Sequence, residues 1–245
     1  MSLLRNLAKR ITPVRRMELR RRNRRAGVRG QSNEAEILRI LADDIGGPKT
    51  FIEFGFHPAE FNCSSLLTDH RGLLIDGSAR QVADGNAILP GAVECKQSFI
   101  TLENMGWIAD HFDKVGVLSI DVDGNDYWFL ERLIEIEPAI ICVEYNASLL
   151  KDAISTPYDP AFERHAKHMS GWYHGASLTA LAKLCGKFGY GLAAVAEAGG
   201  NAFFTKTGLL DPETNWKSSR LRDELAGNSA DQQWDAIKHM PFARV

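Results

Sequence analysis

Apolar residues along the chain form short runs that alternate with amphipathic segments. Seven of these runs have the length and the β-branched or aromatic content that predict strands. The predicted strands are TFIEF (50–54), GLLID (72–76), AVECKQ (92–97), VGVLSID (115–121), AIICVEY (139–145), YGLAAVA (190–196) and NAFFTK (201–206). Helical patterns separate most of them, and this alternation predicts a parallel sheet with helices on both faces.

The last two predicted strands are joined only by EAGG (197–200). Four residues cannot form a helical crossover, so these strands should pair as an antiparallel hairpin at the edge of the sheet. The fold class that we predict is α/β, a doubly wound and mostly parallel seven-stranded sheet with an antiparallel C-terminal hairpin.

Three regions differ in pattern. Residues 1–30 form a basic arm, and residues 31–208 carry the strand and helix alternation. This domain opens with a helix that starts at Ser32 or Asn33 and stops at the Gly46-Gly47-Pro48 sequence. Residues 209–245 are polar and weakly periodic, which predicts a tail with one helix.

Charge is distributed unevenly over the 245 residues, whose formal net charge is −2. Residues 1–30 contain eleven basic residues and the single acid Glu18, so they carry about +10 and the remainder about −12. The apolar residues of this arm recur at helical spacing: Leu3, Leu4, Leu7, Ile11 and Val14. An amphipathic basic helix on an anionic membrane surface is one interpretation, and a solvated or oligomer-bracing helix is another. Nucleic acid is disfavoured because RRNRR has no interleaved aromatic residues for stacking.

The cysteines indicate a reducing compartment. Cys63, Cys95, Cys142 and Cys185 are widely spaced and form no CxxC pair, so we expect reduced core residues. No apolar run is long enough to cross a bilayer, and the start of the chain lacks a secretory signal pattern. We therefore expect a cytoplasmic protein, which the basic arm would place at the membrane periphery if it binds lipid.

The stretch LSIDVDGNDYWFLERL (118–133) concentrates acidic residues directly after an apolar run. An EF-hand calcium loop that begins at Asp121 would need glycine at its sixth position and glutamate at its twelfth. Those positions hold Asp126 and Arg132, so a calcium loop is disfavoured. The order strand, acidic turn, helix fits better, with Asn125 or Asp126 capping the helix.

Polar residues follow five predicted strands at the point where each strand ends. They are Glu53 and Gly55, Asp76, Gln97 and Ser98, Asp121 and Asp123, and Glu144 and Asn146. Ligands of open α/β sheets bind outside the carboxyl ends of the strands, near the point where strand order reverses. The sequence therefore predicts one crevice lined by these residues.

The arrangement resembles class I S-adenosylmethionine-dependent methyltransferases, and its motifs are similar to those of the FkbM methyltransferase family. The motifs are FIEFGFHPAEFNCSSLL, LLIDGS, LSIDVDGNDYWFLERL, ICVEYN and YHGASLTALAKLCGKFGY...NAFF. The resemblance covers about residues 50–206 and leaves out both ends of the chain. It departs at the first loop, where the usual E-x-G-x-G-x-G keeps Glu53 and Gly55 but has His57 and Pro58 in place of further glycines.

The resemblance implies S-adenosylmethionine as cofactor. Asp76 would accept both ribose hydroxyls, although a cap for the next helix together with Ser78 is the alternative. Gln97 and Ser98 would meet the adenine edge, and Asp121 would face the methionine part. The implied cofactor-binding set is completed by Glu53, Gly55, Asn62, Gly77 and Ser78.

Two residues are candidate catalytic bases, His174 and Asp123, with Trp172 and Tyr173 as a lid or acceptor wall. A lone histidine beside aromatic residues also fits a structural role. Oxygen ligands at neighbouring strand ends could hold Mg²⁺, and the predicted ligands are Asp123, Glu144 and Asn146. Glu144 could instead bind a substrate hydroxyl or a backbone amide.

The predicted function is an O-methyltransferase that acts on a hydroxyl of a sugar or glycan, a lipid-linked saccharide or a natural product. RNA methylation is one alternative, which the acidic body and the lack of an N-P-P-Y loop disfavour. A non-catalytic nucleotide-binding scaffold is another, because the glycine loop is altered. NAD is disfavoured because the G-x-G-x-x-G fingerprint is absent.

Overall fold

The computed structural model describes residues 12–245. The strands are β1 (Thr50–Phe54), β2 (Arg71–Asp76), β3 (Val93–Gln97), β4 (Val117–Ile120), β5 (Ile140–Glu144), β6 (Ile154–Ser155), β7 (Gly191–Val195), β8 (Asn201–Thr205) and β9 (Ala243–Arg244). The α-helices are α1 (Thr12–Ala26), α2 (Glu34–Ile45), α3 (Ala79–Ile88), α4 (Asp126–Leu133), α5 (Arg164–Lys167), α6 (Leu178–Lys187), α7 (Pro212–Asn215), α8 (Arg220–Ala226) and α9 (Ala230–Ile237).

Seven strands form one sheet in the order β3-β2-β1-β4-β5-β8-β7. The first five in this order run parallel, and β8 is antiparallel to both β5 and β7. The predicted fold class is therefore confirmed, and each predicted strand is present with ends that differ by at most two residues. Strand order reverses between β1 and β4, which is where an open α/β sheet binds its ligand.

Alternate residues of the strands face two separate apolar cores. Ile52 of β1 packs in the core that contains residues of α4 and α6, whereas Phe51 packs in the core that contains Leu38 of α2. All four cysteines are buried and free, as predicted. Within residues 12–245, no helix has both the length and the apolar character needed to cross a membrane.

The described part of the basic arm is a helix that docks on the domain. Asp84 of α3 is 3% exposed and accepts hydrogen bonds from Arg15 Nε at 2.5 Å and Arg16 Nε at 3.0 Å. Arg20 donates to the Ala87 carbonyl at 2.6 Å, and Arg22 pairs with Glu60 at 3.1 Å. The predicted apolar positions Leu3, Leu4, Leu7 and Ile11 lie outside the described residues, and Val14 is half-buried.

The C-terminal region contains the three helices α7, α8 and α9 rather than one, and β9 pairs with β6. Polar contacts attach it: buried Gln233 accepts from Ser148 Oγ at 2.5 Å, and Tyr173 donates to the Pro241 carbonyl. Apolar contacts attach it as well, since Ile237 is buried against Leu149 and Ile154. The sequence pattern missed these helices because each is short, with four to eight residues, so few apolar positions repeat within it.

Candidate active site

Two cavities meet at the carboxyl ends of the parallel strands. The smaller, of about 250 Å³, is lined by the loops that follow β1, β2, β3 and β4. The larger, of about 590 Å³, includes residues of the β4 and β5 ends, the Arg164 to Trp172 segment and α8. Asp121 and Asp123 line both cavities, so the two spaces adjoin at the acidic loop.

Gly55 brings the loop after β1 against the end of β4. Its φ is +69°, and a Cβ atom at this position would lie 2.0 Å from the Asp121 carbonyl oxygen. Only glycine satisfies both the backbone conformation and the close approach. Of the glycines that the sequence resemblance led us to expect in this loop, Gly55 is the one that is present, and it stands where the backbone requires glycine.

Glu53 and Asn62 hold the loop after β1 in place through buried hydrogen bonds. The Glu53 carboxylate is 1% exposed and accepts hydrogen bonds from the backbone N–H of Asn62 and of Cys63, both at 2.7 Å. Burial raises the pKa of Glu53 to about 7. Asn62 donates to Ser119 Oγ at 3.2 Å, and neither side chain is among those lining the smaller cavity.

Asp76 ends β2 and lines the smaller cavity together with Gly77. Its Oδ1 accepts from Ser78 N at 2.6 Å and its Oδ2 from Phe56 N at 3.4 Å, and burial raises its pKa. Each carboxylate oxygen keeps a further acceptor position for a ligand hydroxyl. Ser78 caps α3 by accepting from Gln81 N at 3.3 Å and faces a different surface cavity.

The end of β3 contributes Ser98 and Phe99 to the smaller cavity. Gln97 is exposed and its Nε2 lies 3.4 Å from the Gly77 carbonyl oxygen, so it is not among the lining residues. Phe99 is 63% exposed although it is a large apolar residue. From the sequence alone, Phe99 was not identified as a lining residue. Its position, as an aromatic residue directly after the polar end of β3, is the signal that could have identified it.

The three aspartates of the acidic loop have different environments. Asp126 is buried, accepts from Val122 N at 2.8 Å and Gly124 N at 2.9 Å, and closes the loop on itself. Asp123 has φ +56° and pairs with Arg164. Asp121 receives no hydrogen bond to its side chain from the described residues, and burial with the nearby Glu144 carboxylate raises its pKa well above the usual range.

Glu144, the last residue of β5, lies in the larger cavity with its side chain 14% exposed. Its Oε1 is 3.8 Å from His174 Nε2 and 3.9 Å from Arg222 Nη2. Its Oε2 is buried and has no hydrogen-bond partner among residues 12–245. Burial and the Asp123 carboxylate raise the pKa of Glu144 to about 7.

His174 is fully buried beneath Arg222. Its Nε2 lies 3.3 Å from Arg222 Nη2, so the imidazole nitrogen accepts and the guanidinium donates. Burial and the charges of Arg222 and Arg164 lower the pKa of His174 to about 3. The imidazole is therefore neutral near pH 7.

Asn146 connects the loop after β5 to residues 172–174 and to Arg222 through hydrogen bonds. Its Nδ2 donates to the carbonyls of Trp172 at 2.6 Å and His174 at 2.8 Å. Its Oδ1 accepts from Ser148 N at 3.0 Å and Arg222 Nη1 at 2.6 Å, which uses both lone pairs of that oxygen. Asn146 has no acceptor left for a metal ion.

The residues at the predicted Mg²⁺ site do not fit that ion. Asp123, Glu144 and His174 each offer one ligand atom, and these atoms lie within 4.8 Å of one another. Two guanidinium groups already lie among them, since Arg164 pairs with Asp123 and Arg222 contacts His174. Both would repel a divalent cation at this position. Arg222 comes from the region read as a tail, and neither its sequence context nor its spacing marked it.

No protein-family model matches the chain, and no curated protein matches it in sequence. Among solved structures, an O-methyltransferase from Bacillus cereus in complex with SAH has 14% identity and a TM-score of 0.49, covering 77% of this chain and 88% of that one. The N-terminal domain of EvdMO1 with SAH bound has 12% identity and a TM-score of 0.47, covering 77% and 95%. A methyltransferase from Geobacter sulfurreducens has 15% identity and a TM-score of 0.45, covering 79% and 86%.

Proposed function

We propose that the chain is an S-adenosylmethionine-dependent O-methyltransferase that acts on a hydroxyl group of a sugar-containing acceptor, in the manner of the FkbM-like proteins that its motifs resemble. The observation that carries the proposal is the pair of adjoining cavities at the switch point of the sheet. Asp76 and Asp121 line the smaller one, and Asp121 and Asp123 connect it to the larger one.

The residues of the smaller cavity fit the cofactor. Asp76 would accept the ribose hydroxyls, Phe99 offers a flat apolar face for the adenine ring, and the Asp121 carboxyl, whose ionised form a nearby cation would stabilise, would accept from the amino group. When bound, the cofactor supplies an electrophilic methyl group. The chain supplies alignment and the exclusion of water, which can account for most of the rate enhancement of an in-line displacement.

The larger cavity suits a polyhydroxylated acceptor. Its lining mixes carboxylates, which accept from hydroxyl groups, with the guanidinium groups of Arg164 and Arg222, which donate to them. The indole of Trp172 adds an apolar face against which a sugar ring can pack. The chain outside residues 1–30 carries about −12, and this charge would repel the phosphates of an RNA strand, which supports a sugar over RNA. His174 and Asp123 stay predictions as the catalytic base.

A location at an anionic membrane surface is a second proposal. It is supported by α1, on which Arg21 is exposed and Met17 is 61% exposed while other arginines dock the helix on α3. Such a position would suit a lipid-linked acceptor.

Calorimetric titration with SAH tests the cofactor assignment. We expect wild-type protein to bind SAH and Asp76→Asn to bind it about 10- to 100-fold more weakly, because hydrogen bonds to a charged carboxylate are lost. Asp113→Asn, at an exposed position, serves as the matched control with unchanged affinity. Wild type that does not bind SAH would contradict the proposal and favour a scaffold.

SAH release with a panel of monosaccharides, glycosides and short RNA oligonucleotides then tests the acceptor class. We expect turnover with hydroxyl-bearing saccharides and none with RNA. Dependence on Mg²⁺, predicted from Asp123, Glu144 and Asn146, is measured in the same assay with and without EDTA.

A further inference from the structure

The Glu144 carboxylate is an unsatisfied group of the larger cavity, in which the Nε of Arg164 also has no hydrogen-bond partner from the described residues. Its two contacts with cationic or imidazole nitrogen, at 3.8 and 3.9 Å, are too long for hydrogen bonds, and its Oε2 is buried without a donor from the described residues. A buried carboxylate that receives no hydrogen bond is costly to the fold. Such a group is expected where a ligand completes the arrangement.

The charged and titratable groups around Glu144 come from four segments. The loop between β4 and α4 contributes Asp121 and Asp123, α5 contributes Arg164, the segment before α6 contributes His174, and α8 contributes Arg222. Asp123 is neutralised by Arg164, and His174 accepts from Arg222. Glu144 is thus the carboxylate that lies against a fixed cation without being bonded to it.

Arg222 is held rigidly in this position. Its Nη1 donates to Asn146 Oδ1 at 2.6 Å and to Ser148 Oγ at 3.2 Å, and its Nη2 contacts His174. A guanidinium has five N–H donors in a fixed planar arrangement, so a donor on Nη2 stays available beside Glu144. Glu144 Oε1 and Arg222 Nη2 are 3.9 Å apart, so an oxygen atom placed between them would donate its proton to Oε1 and accept from Nη2.

We propose that Glu144 takes the proton of the acceptor hydroxyl while Arg222 stabilises the negative charge that develops on that oxygen, so that this pair acts where a divalent cation would act in a metal-dependent methyltransferase. The inference rests on the proposed methyltransferase function. Glu144 and Arg222 would both contact the reacting oxygen.

Strand register places this pair beside the cofactor cavity. Ile120 of β4 is in register with Val143 of β5, so Asp121 and Glu144 follow as the next residues of neighbouring strands. Adjacent strands are about 4.8 Å apart, and residues in register point to the same face. Since Asp121 lines both cavities, an acceptor oxygen at Glu144 would lie next to the proposed cofactor cavity.

The two bases predicted from sequence are less suited to this step. His174 has its Nε2 covered by Arg222 and a pKa lowered to about 3, which makes it a weak base. The Asp123 carboxylate is 57% exposed and paired with Arg164. Glu144 has neither obstacle: its side chain is 14% exposed in the larger cavity, and no described residue donates a hydrogen bond to it.

The proposed step transfers one proton and one methyl group. Glu144 accepts the hydroxyl proton as the acceptor oxygen bonds the methyl carbon, and the electron pair of the breaking carbon–sulfur bond returns to sulfur. The carboxylate becomes a neutral acid, the sulfonium becomes a thioether and the acceptor becomes a methyl ether. Arg222 keeps its proton and its charge throughout.

The first experiment measures methyl transfer to the saccharides that wild type accepts, using the full chain. Glu144→Gln should lower kcat about 10²- to 10⁴-fold while SAH binds as tightly as to wild type. Arg222→Met should lower kcat about 10²-fold or more, and the double variant should lose little beyond Glu144→Gln because the two side chains act as a unit. Glu131→Gln and Arg132→Met, at exposed positions of α4, are the matched controls with wild-type rates.

Circular dichroism and thermal unfolding establish that each variant is folded; Glu144→Gln removes no hydrogen bond from within residues 12–245, so it should fold. A folded Glu144→Gln variant with a wild-type rate would overturn the proposal. So would fully additive losses, which would show that Glu144 and Arg222 act separately.

The second experiment needs no acceptor. Titration with Mn²⁺ alone, followed by electron paramagnetic resonance, should detect no site in wild type, because Arg222 holds the position of a cation. Mn²⁺ binding that Glu144→Gln abolishes would overturn the proposal in favour of a metal site. Failure of the proposed function is distinguishable, since it would appear as absent SAH binding in calorimetry whatever the Mn²⁺ result.

Discussion

At the carboxyl edge of the sheet, some residues shape the loops of the candidate site and others line its cavities. Gly55 and Asp126 shape it, the first through its left-handed backbone and the second through two backbone hydrogen bonds. Asp76 and Asp121 face the smaller cavity. The sequence pattern places Gly55, Asp76 and Asp121 at strand ends and Asp126 at the start of a helix. It does not tell which carboxylate accepts hydrogen bonds from the backbone, because that depends on the turn geometry of each loop.

Gly55→Ala tests the first of these roles. Its Cβ would collide with the Asp121 carbonyl, so we expect unfolding free energy to fall by about 2 kcal/mol or more and SAH affinity to fall with it. Gly46→Ala is the matched control: it has φ +62° but open space around the added Cβ, so the loss should stay near 1 kcal/mol. Chemical denaturation measures both, and equal losses would show that the contact with Asp121 is unimportant.

At the scale of elements, the strands and the first domain helix follow the sequence pattern closely, whereas the flanking segments do not. The apolar runs of β1, β2, β4 and β5 are buried on both faces, which is why their limits could be predicted within two residues. The predicted cap of α2 is at Asn33, although its side chain accepts from Glu197 N instead of capping the helix. The helix α1 has almost no apolar stripe, and its position is set by Arg15 and Arg16 on one buried aspartate, a contact that no periodicity encodes.

Asp84→Asn should therefore release α1 from α3. The substitution removes the charge that two guanidinium groups share, and the buried site cannot easily replace it. We expect trypsin to cleave within α1 about tenfold faster or more, while the rest of the domain keeps its thermal transition. Glu60→Gln, which alters the exposed pair with Arg22, is the control and should change cleavage much less. Unchanged cleavage in Asp84→Asn would mean that other contacts hold the helix.

For the whole molecule, basic charge is concentrated in one terminal segment and acidic charge in the rest of the chain. The eleven basic residues of positions 1–30 face a remainder that is strongly acidic. Under the membrane proposal, an anionic surface would attract these basic residues and repel the acidic remainder. The sequence predicted this asymmetry because counting charges needs no knowledge of the fold. It could not predict that Arg15 and Arg16 pair with Asp84 of the body and so leave less basic charge for a partner.

Co-sedimentation with vesicles measures what remains for a membrane. We expect the full chain to bind vesicles that contain phosphatidylglycerol, to ignore pure phosphatidylcholine and to lose binding as salt is raised towards 0.5 M, where the Debye length falls to about 4 Å. A chain lacking residues 1–30 should not sediment. Equal binding to both kinds of vesicle would indicate an apolar contact instead, and binding to neither would remove the membrane proposal.

The helix α8 has a consequence for how substrate choice can change. It covers the larger cavity and supplies Arg222, yet it comes from the region after the last sheet strand, whereas every residue that lines the smaller cavity comes from residues 54–162. The C-terminal stretch therefore contributes to the larger cavity and not to the smaller one, although Asp121, Asp123 and Glu144 also line the larger cavity. Under the proposed function, exchange of this stretch would alter the choice of acceptor while the residues that line the smaller cavity stay unchanged.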